Sequence, residues 1–415
     1  MTDPAHGLVH HGTPAFRRTN LALFAAGLST FGLLYCVQPL MPEFSRHYGV
    51  NEAAAALSLS LTTGVLAVAM LFAGGVSDAL GRKPVMVASL LASALLVLVS
   101  ALMPDWSALL VVRTLLGLSL SGLPAVAMTY LGEEMDAESI GLGMGLYISG
   151  SAVGGMGGRL ITGVLADFFG WRIGVAVVAV IGIAAALIFW RMLPASRHFT
   201  AQPLRWRTVA GRFNGIFRDR GLPWLFVEGF LLLGAFVTVY NYLGYRLLAP
   251  PYNLSQAVVG LIFGIYLVGT FSSAWMGHLA GKLGRRKVLW TALALMLAGV
   301  ALTVAQPLWL VMTGLVAVTF GFFGGHSIVS SWVGRRAGAA KAQAASVYLF
   351  CYYMGSSVAG ASGGLFYAAH GWNGVALFTG ALVLAGLAIA LGLVRLKPLV
   401  DVATPPAPMS RGAMG

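Results

Sequence analysis

Charged side chains are scarce in this chain. Asp, Glu, Lys and Arg make up 9% of its 415 residues, against the quarter or so that covers a soluble globular domain. With 58% apolar residues, too little polar surface remains to face water on every side. Cysteine is nearly absent. Cys36 and Cys351 both fall inside apolar runs, which argues against a disulfide framework and leaves buried neutral thiols. We find no Ser/His/Asp set, no metal-ligand cluster and no phosphate-cradling glycine loop followed by lysine. Those absences disfavour an enzyme and an ATP-driven pump, and neither a metal nor another cofactor is expected. His6, His10 and His11 are loosely spaced and read as a solvated tail. No cleavable signal precedes the first apolar run, so that run itself is expected to direct insertion.

Long apolar runs are what the chain does have. A helix needs about 20 residues to cross a hydrocarbon core about 30 Å thick. Twelve such runs recur, six in each half. The first six are Leu21–Leu40, Ala54–Phe72, Val85–Met103, Leu109–Tyr130, Ile140–Ala166 and Ile173–Trp190. The second six are Trp224–Tyr245, Val258–Leu279, Val288–Ala305, Trp309–Trp332, Ala344–Ala369 and Val375–Val394. The fold class is therefore an all-α membrane protein. Its parts are a tail (1–19), a six-helix bundle (20–190), a basic linker (191–221), a second bundle (222–397) and a terminal tail (398–415). The terminal tail, with Pro405, Pro406 and Pro408, is expected to be disordered, and the linker to carry a short surface helix near Leu204–Phe217.

The net charge of +13 reports orientation. With a cytoplasmic amino terminus, only Arg46, Arg113, Arg159, Arg172 and Arg246 fall outside cytoplasmic segments, leaving 21 of 26 basic residues inside. The expected location is a plasma membrane with both termini cytoplasmic. The partners expected are membrane lipid, a small-molecule substrate and protons, with no nucleic acid, and a monomer as the working unit.

The halves repeat each other. A shift of 203 places Gly74, Gly81, Arg82, Pro104 and Trp106 on Gly277, Gly284, Arg285, Pro307 and Trp309. A shift of 205 places Tyr147, Gly150, Ser151, Gly155 and Gly158 on Tyr352, Gly355, Ser356, Gly360 and Gly363. Ordered matches of this kind indicate a duplicated six-helix unit.

After the second run comes Gly74-Gly75-Val76-Ser77-Asp78-Ala79-Leu80-Gly81-Arg82-Lys83-Pro84. The glycines permit a tight turn, and Asp78 is suited to cap a nearby helix amino terminus and to pair with Arg82. This segment resembles the signature loop of the Major Facilitator Superfamily, whose resemblance implies a conformational latch. The second copy keeps Gly277, Gly284, Arg285 and Arg286 but has Gly281 in place of Asp78, so the latch is expected to be asymmetric. Arg113, followed by Gly117, resembles the family's arginine in the fourth helix. A charge at that depth costs about 3 kcal/mol, so Arg113 either acts in the pathway or snorkels outward past Ser107. Gly150, Gly154, Gly155 and Gly158 resemble the antiporter signature of the fifth helix, with Gly155 where a proline is usual. Such spacing lets helices approach and slide, and these four are expected to pack helices.

Over most of its length the chain resembles the YnfM-like bacterial inner-membrane transporters, grouped with sugar-efflux and drug-efflux permeases. The carrying segments include Tyr35-Cys36-Val37-Gln38-Pro39-Leu40 and Tyr352-Tyr353-Met354-Gly355-Ser356-Ser357. The resemblance implies two pseudo-symmetric bundles whose first, fourth, seventh and tenth helices line a cavity. Pathway candidates on those helices are Tyr35, Gln38, Arg113, Tyr242, Arg246 and His326. Glu228, Arg113 and His326 are candidates for proton coupling. By helical period, Glu228, Tyr242 and Arg246 form one stripe, within about 40° of each other. Glu228 lies well inside a span, where a charged carboxylate is costly; it either carries a proton or pairs with Arg218 or Arg220. Arg159 is expected to pair with Asp167. The cationic balance favours neutral or anionic solutes. These features point to proton-coupled efflux of a small organic solute by alternating access. Proton-linked uptake is the alternative, and a non-transporting receptor or lipid-modifying enzyme is the reading from a different class.

Overall fold

A computed structural model describes residues 8–201 and 216–394. Most of the expected linker helix and the tail after Pro398 lie outside these residues; within the linker, Ile216–Arg218 form a single 3-10 turn.

The first half holds α1 (Pro14–Tyr48), α2 (Glu52–Leu80), α3 (Arg82–Ser100), α4 (Trp106–Glu134), α5 (Ala137–Phe169) and α6 (Trp171–Met192). The second holds α7 (Leu222–Leu248), α8 (Gln256–Leu283), α9 (Arg285–Leu302) and α10 (Leu308–Arg336). Lys341–Val394 completes it, bent at Gly371 into α11 (341–370) and α12 (372–394). The described residues thus hold twelve long helices where twelve spans are expected, and a spanning backbone is helical because lipid offers no partner for an unpaired N–H or C=O.

Local chemistry sets the ends. Thr13 Oγ1 accepts from Phe16 N at 3.2 Å ahead of Pro14, Asn51 Oδ1 accepts from Ala54 N at 2.8 Å, and Asp105 Oδ1 accepts from Ala108 N at 2.9 Å. The duplication is visible in the backbone. Gly81 and Gly284 join α2 to α3 and α8 to α9 with φ of 100° and 93°, values that a side chain rarely permits. α1 breaks at a 3-10 turn over Gln38–Leu40, because Pro39 has no N–H to continue the helix.

Glycine faces set the closest approaches. A methyl group on Gly154 would lie 2.6 Å from Leu28 Cα, and one on Gly158 would lie 2.6 Å from the Gly32 carbonyl oxygen, so α5 packs backbone to backbone on α1. Gly150 meets Phe24 in the same way, and its repeat Gly355 meets Phe230. Gly155 packs less closely: a methyl there would lie 3.7 Å from Phe31 Cβ of α1, and its carbonyl accepts from Arg159 Nη1 at 2.6 Å.

Val9 N donates to Glu134 O at 2.8 Å, which ties the start of the chain to the same end of the molecule as the linker. At the opposite end the halves are joined. Gln256 Nε2 donates to Pro39 O at 2.6 Å, Tyr245 Oη to Met41 O at 2.9 Å, and Ser357 Oγ to Ser60 O at 2.7 Å. A methyl on Gly260 would lie 2.8 Å from Gly163 Cα, so α5 and α8 touch there as well. At the linker end the halves part around a cleft of about 650 Å³. Met70, Asp78, Arg82 and Glu133 line one side, and Gln343 and Leu349 the other.

Candidate functional site

Beneath the closed end, side chains from both halves meet. Arg159 on α5 folds back one turn toward Gly155, as helical side chains lean toward the amino terminus. Its Nε donates to Gln38 Oε1 at 2.6 Å, and Gln38 Nε2 donates to Asn241 Oδ1 at 2.7 Å. Guanidinium donates only, so Arg159 fixes the orientation of both amides in turn. The same guanidinium lies 4.1 Å from the Tyr35 ring centroid, 4.6 Å from that of Tyr266 and 5.5 Å from that of Phe263. The seam thus takes Tyr35, Gln38 and Arg159 from one half and Asn241, Phe263 and Tyr266 from the other. Arg159 does not pair with Asp167, whose Oδ2 instead accepts from Ala257 N at 3.3 Å.

From Tyr266 an aromatic column continues. Tyr266 and Phe323 centroids are 5.9 Å apart, Phe322 and Tyr352 6.4 Å, and Tyr352 and His326 4.6 Å. His326 Nδ1 and the Tyr348 hydroxyl lie 2.8 Å apart. Next to Tyr348 packs Gly229, and beside it Glu228, fully buried, with neither carboxylate oxygen hydrogen-bonded among the described residues. Its carboxylate faces Gly386 of α12.

Other candidates sit elsewhere. Arg113 is fully buried and does not snorkel: Nη2 donates to Leu34 O at 2.9 Å and Nε to Ser58 O at 2.7 Å. The break at Pro39 strands the last carbonyls of α1. Arg113 takes that of Leu34, and Thr162 that of Cys36 at 2.6 Å. Arg246 donates to Thr303 O, to Ala305 O at 2.7 Å and to Tyr252 Oη at 3.1 Å, capping the end of α9. The Tyr242 hydroxyl donates to Gly360 O at 2.8 Å. The stripe of Glu228, Tyr242 and Arg246 therefore faces α12, α11 and α9 of its own half, whereas Asn241, one residue round the helix, reaches the seam. Nothing in the spacing marked Arg159 or Asn241, because their partners come from sequence positions more than 100 residues away.

At the linker end Arg82 is the hub. Nη1 donates to Asp78 Oδ1 at 2.5 Å and to Ser77 Oγ at 3.1 Å, while Nε and Nη2 grip Glu133 at 3.0 and 2.7 Å. Asp78 pairs with Arg82 but caps no helix: α3 begins at Gly81 without a side-chain cap. Lys83 Nζ donates to Leu193 O at 2.5 Å. Gly74 has open space around it, and a methyl on Gly277 would approach only Ser327 Oγ. Glu133 completes the Arg82 cluster, and its neighbour Glu134 accepts from Arg197 N at 2.7 Å and His198 N at 2.9 Å. In the second half the position 203 residues beyond Glu133 is Arg336, which cannot accept. It pairs bidentately with Asp219 at 2.8 Å. Beside it, Arg285 and Arg335 lie close enough for like-charge repulsion. Burial moves the Asp219 carboxyl up, but Arg336 and the N–H groups of Gly221 and Leu222 outweigh it and hold it below its ordinary range.

Two six-helix bundles related by sequence duplication, sealed at one end and parted at the other around an interior seam, define a polytopic membrane transport protein. The chain belongs to the Major Facilitator Superfamily, whose profile matches residues 22–252 and 243–412. It is 50% identical over 387 residues to the inner membrane transport protein YnfM of Escherichia coli strain K12, covering 93% of each chain. It is 46% identical over 393 residues to the uncharacterized MFS-type transporter YybF of Bacillus subtilis strain 168, covering 95% of this chain and 97% of that one. The nucleoside transporter NupG shares the fold at a TM-score of 0.76 and 16% identity, over 90% of this chain and 99% of that one. The superfamily and these relatives are transporters, so the chain is a membrane transporter rather than an enzyme.

Proposed function

We propose that this transporter exports a small organic solute from a bacterial cell in exchange for protons, by alternating access about the seam. The linker end is assigned to the cytoplasm on the bias of basic residues, which makes the described conformation inward-open. The observation that carries the reading is Glu228: a carboxylate wholly inside the bundle, without a partner among the described residues, near the His326–Tyr348 pair. A buried unpaired carboxylate is tolerated in lipid when it can take up a proton, and a cycle of uptake and release couples its charge to the motion of α7. Arg82, Asp78 and Glu133, with Gly74, Gly81 and Lys83 around them, form the latch that meets the second half when the cleft closes. Gly277, Gly284, Arg285 and Arg286 form its more basic counterpart.

Reconstituted protein under an imposed pH gradient tests this. Export by proton exchange requires solute accumulation only in acid-inside vesicles, whereas accumulation only in acid-outside vesicles establishes proton-linked uptake instead. Glu228→Gln is expected to leave counterflow intact and abolish the pH dependence of flux. A pH profile matching the wild type in that variant would make Glu228 structural and remove it from the coupling step.

A further inference from the structure

We infer that Arg159 is the anchor for a carboxylate on the transported solute, and that the rest of the solute is a flat apolar body. The inference rests on the transport reading above and narrows its substrate to organic anions.

The first argument is charge. Arg159 is buried, and among the described residues no carboxylate pairs with it; its bonds go to the Gln38 amide oxygen and the Gly155 carbonyl. Neutral acceptors and three aromatic faces offset part of the cost of a buried cation, and an anion offsets far more. Arg246 differs in kind, because it caps the end of α9; Arg113 gives two of its donors to the Leu34 and Ser58 carbonyls of its own half, away from the seam, and keeps Nη1 without a partner among the described residues.

The second argument is polarity. Arg159 forces Gln38 to present its oxygen and Asn241 to use its own oxygen on Gln38, which leaves the Asn241 amide nitrogen as a donor on the side of Gly360 of α11. That nitrogen is buried without a partner among the described residues, and so is the Tyr266 hydroxyl. Arg159 Nη2 makes no hydrogen bond among the described residues either. Beside the guanidinium the groups left over are its own Nη2 and the Tyr266 hydroxyl, a cation and a donor that fit a carboxylate and reject an ammonium. The rings of Tyr35, Phe263 and Tyr266, each of which presents a face to the guanidinium, make the surroundings of the anchor aromatic and suit a flat apolar body. Because these donors come from both halves, a bound carboxylate bridges the seam that alternating access must open.

Benzoate is the test probe, with benzamide and benzylamine as isosteres lacking the charge or inverting it. Binding to purified protein is measured by thermal shift and tryptophan fluorescence without a gradient. Benzoate is expected to bind in the millimolar range and benzamide and benzylamine at least about tenfold more weakly. Arg159→Gln is expected to lose benzoate binding. Tyr266→Phe removes only a hydroxyl that nothing in the fold uses, so it should fold normally and weaken benzoate about fivefold. Equal binding of benzamide or benzylamine, undiminished binding in Tyr266→Phe and Arg159→Lys, or no benzoate binding at all overturns the inference. The transport reading fails separately: benzoate bound but moved by neither pH gradient removes that reading and keeps the anion site.

Discussion

Arg82 shows how much one side chain holds at the linker end. Asp78 is the more exposed of its two carboxylates, with 40% of its side chain accessible against 28% for Glu133, and it makes one bond where Glu133 makes two. Screening reduces an exposed pair to about 1 kcal/mol, whereas a bidentate charge-assisted pair is worth about 2 kcal/mol. Glu133→Gln should therefore lower the melting temperature more than Asp78→Asn. Asp78→Asn should slow the transport cycle while leaving solute affinity unchanged; equal transport rates would refute its latch role. Asp219 gives a second residue-level expectation. Its pKa is lowered on folding, so the stability it contributes is present above its unfolded value, near about 3.9, and is lost as pH falls through its folded value. The melting-temperature gap between wild type and Asp219→Asn should thus be constant at neutral pH and close in acid. A gap that stays constant or widens as the pH is lowered through the acid range would show that the Asp219 carboxylate is not its source.

Among the elements, the α1–α5 contact is the one most exposed to substitution. Gly154 meets the backbone of Leu28, which cannot give way, while Gly145 on the same helix has nothing within 4 Å. Gly154→Leu should destabilise the protein by about 3 kcal/mol or more and abolish folded yield, and Gly145→Leu should be neutral by the same assay. Comparable yields from the two variants would mean that the helices are not packed through glycine. Much at this scale could be read from the chain. The spans follow from apolar length, and the duplicated turns at Gly81 and Gly284 follow from a glycine-arginine pair at a fixed offset. The second role of Gly155 could not be read, because its spacing is that of a packing glycine and says nothing of the Arg159 guanidinium on its carbonyl. The polar stripe on α7 failed for a related reason: helical period shows that Glu228, Tyr242 and Arg246 share a face, and says nothing about which neighbour that face meets.

The molecule as a whole is sealed on one side of the seam and open on the other, and that asymmetry can be locked. A Cβ on Gly64 would lie 3.3 Å from Ser357 Cβ, near the roughly 3.8 Å found across disulfides. In a background with Cys36 and Cys351 replaced, Gly64→Cys with Ser357→Cys should cross-link α2 to α11 on oxidation. Flux should fall to background and return on reduction; unimpaired flux in the cross-linked protein would mean that the halves do not separate there. The amino-acid order alone settled that the chain lies in a membrane, how many times it crosses, and that its halves are copies, because those properties depend on local apolarity, backbone satisfaction and repetition along the chain. Folding decided which arginines cap helix ends and which one remains without an acid at the seam. A charge in lipid is satisfied by whatever backbone or side chain the packing brings within about 3 Å, and that partner is set by three-dimensional contact between distant segments.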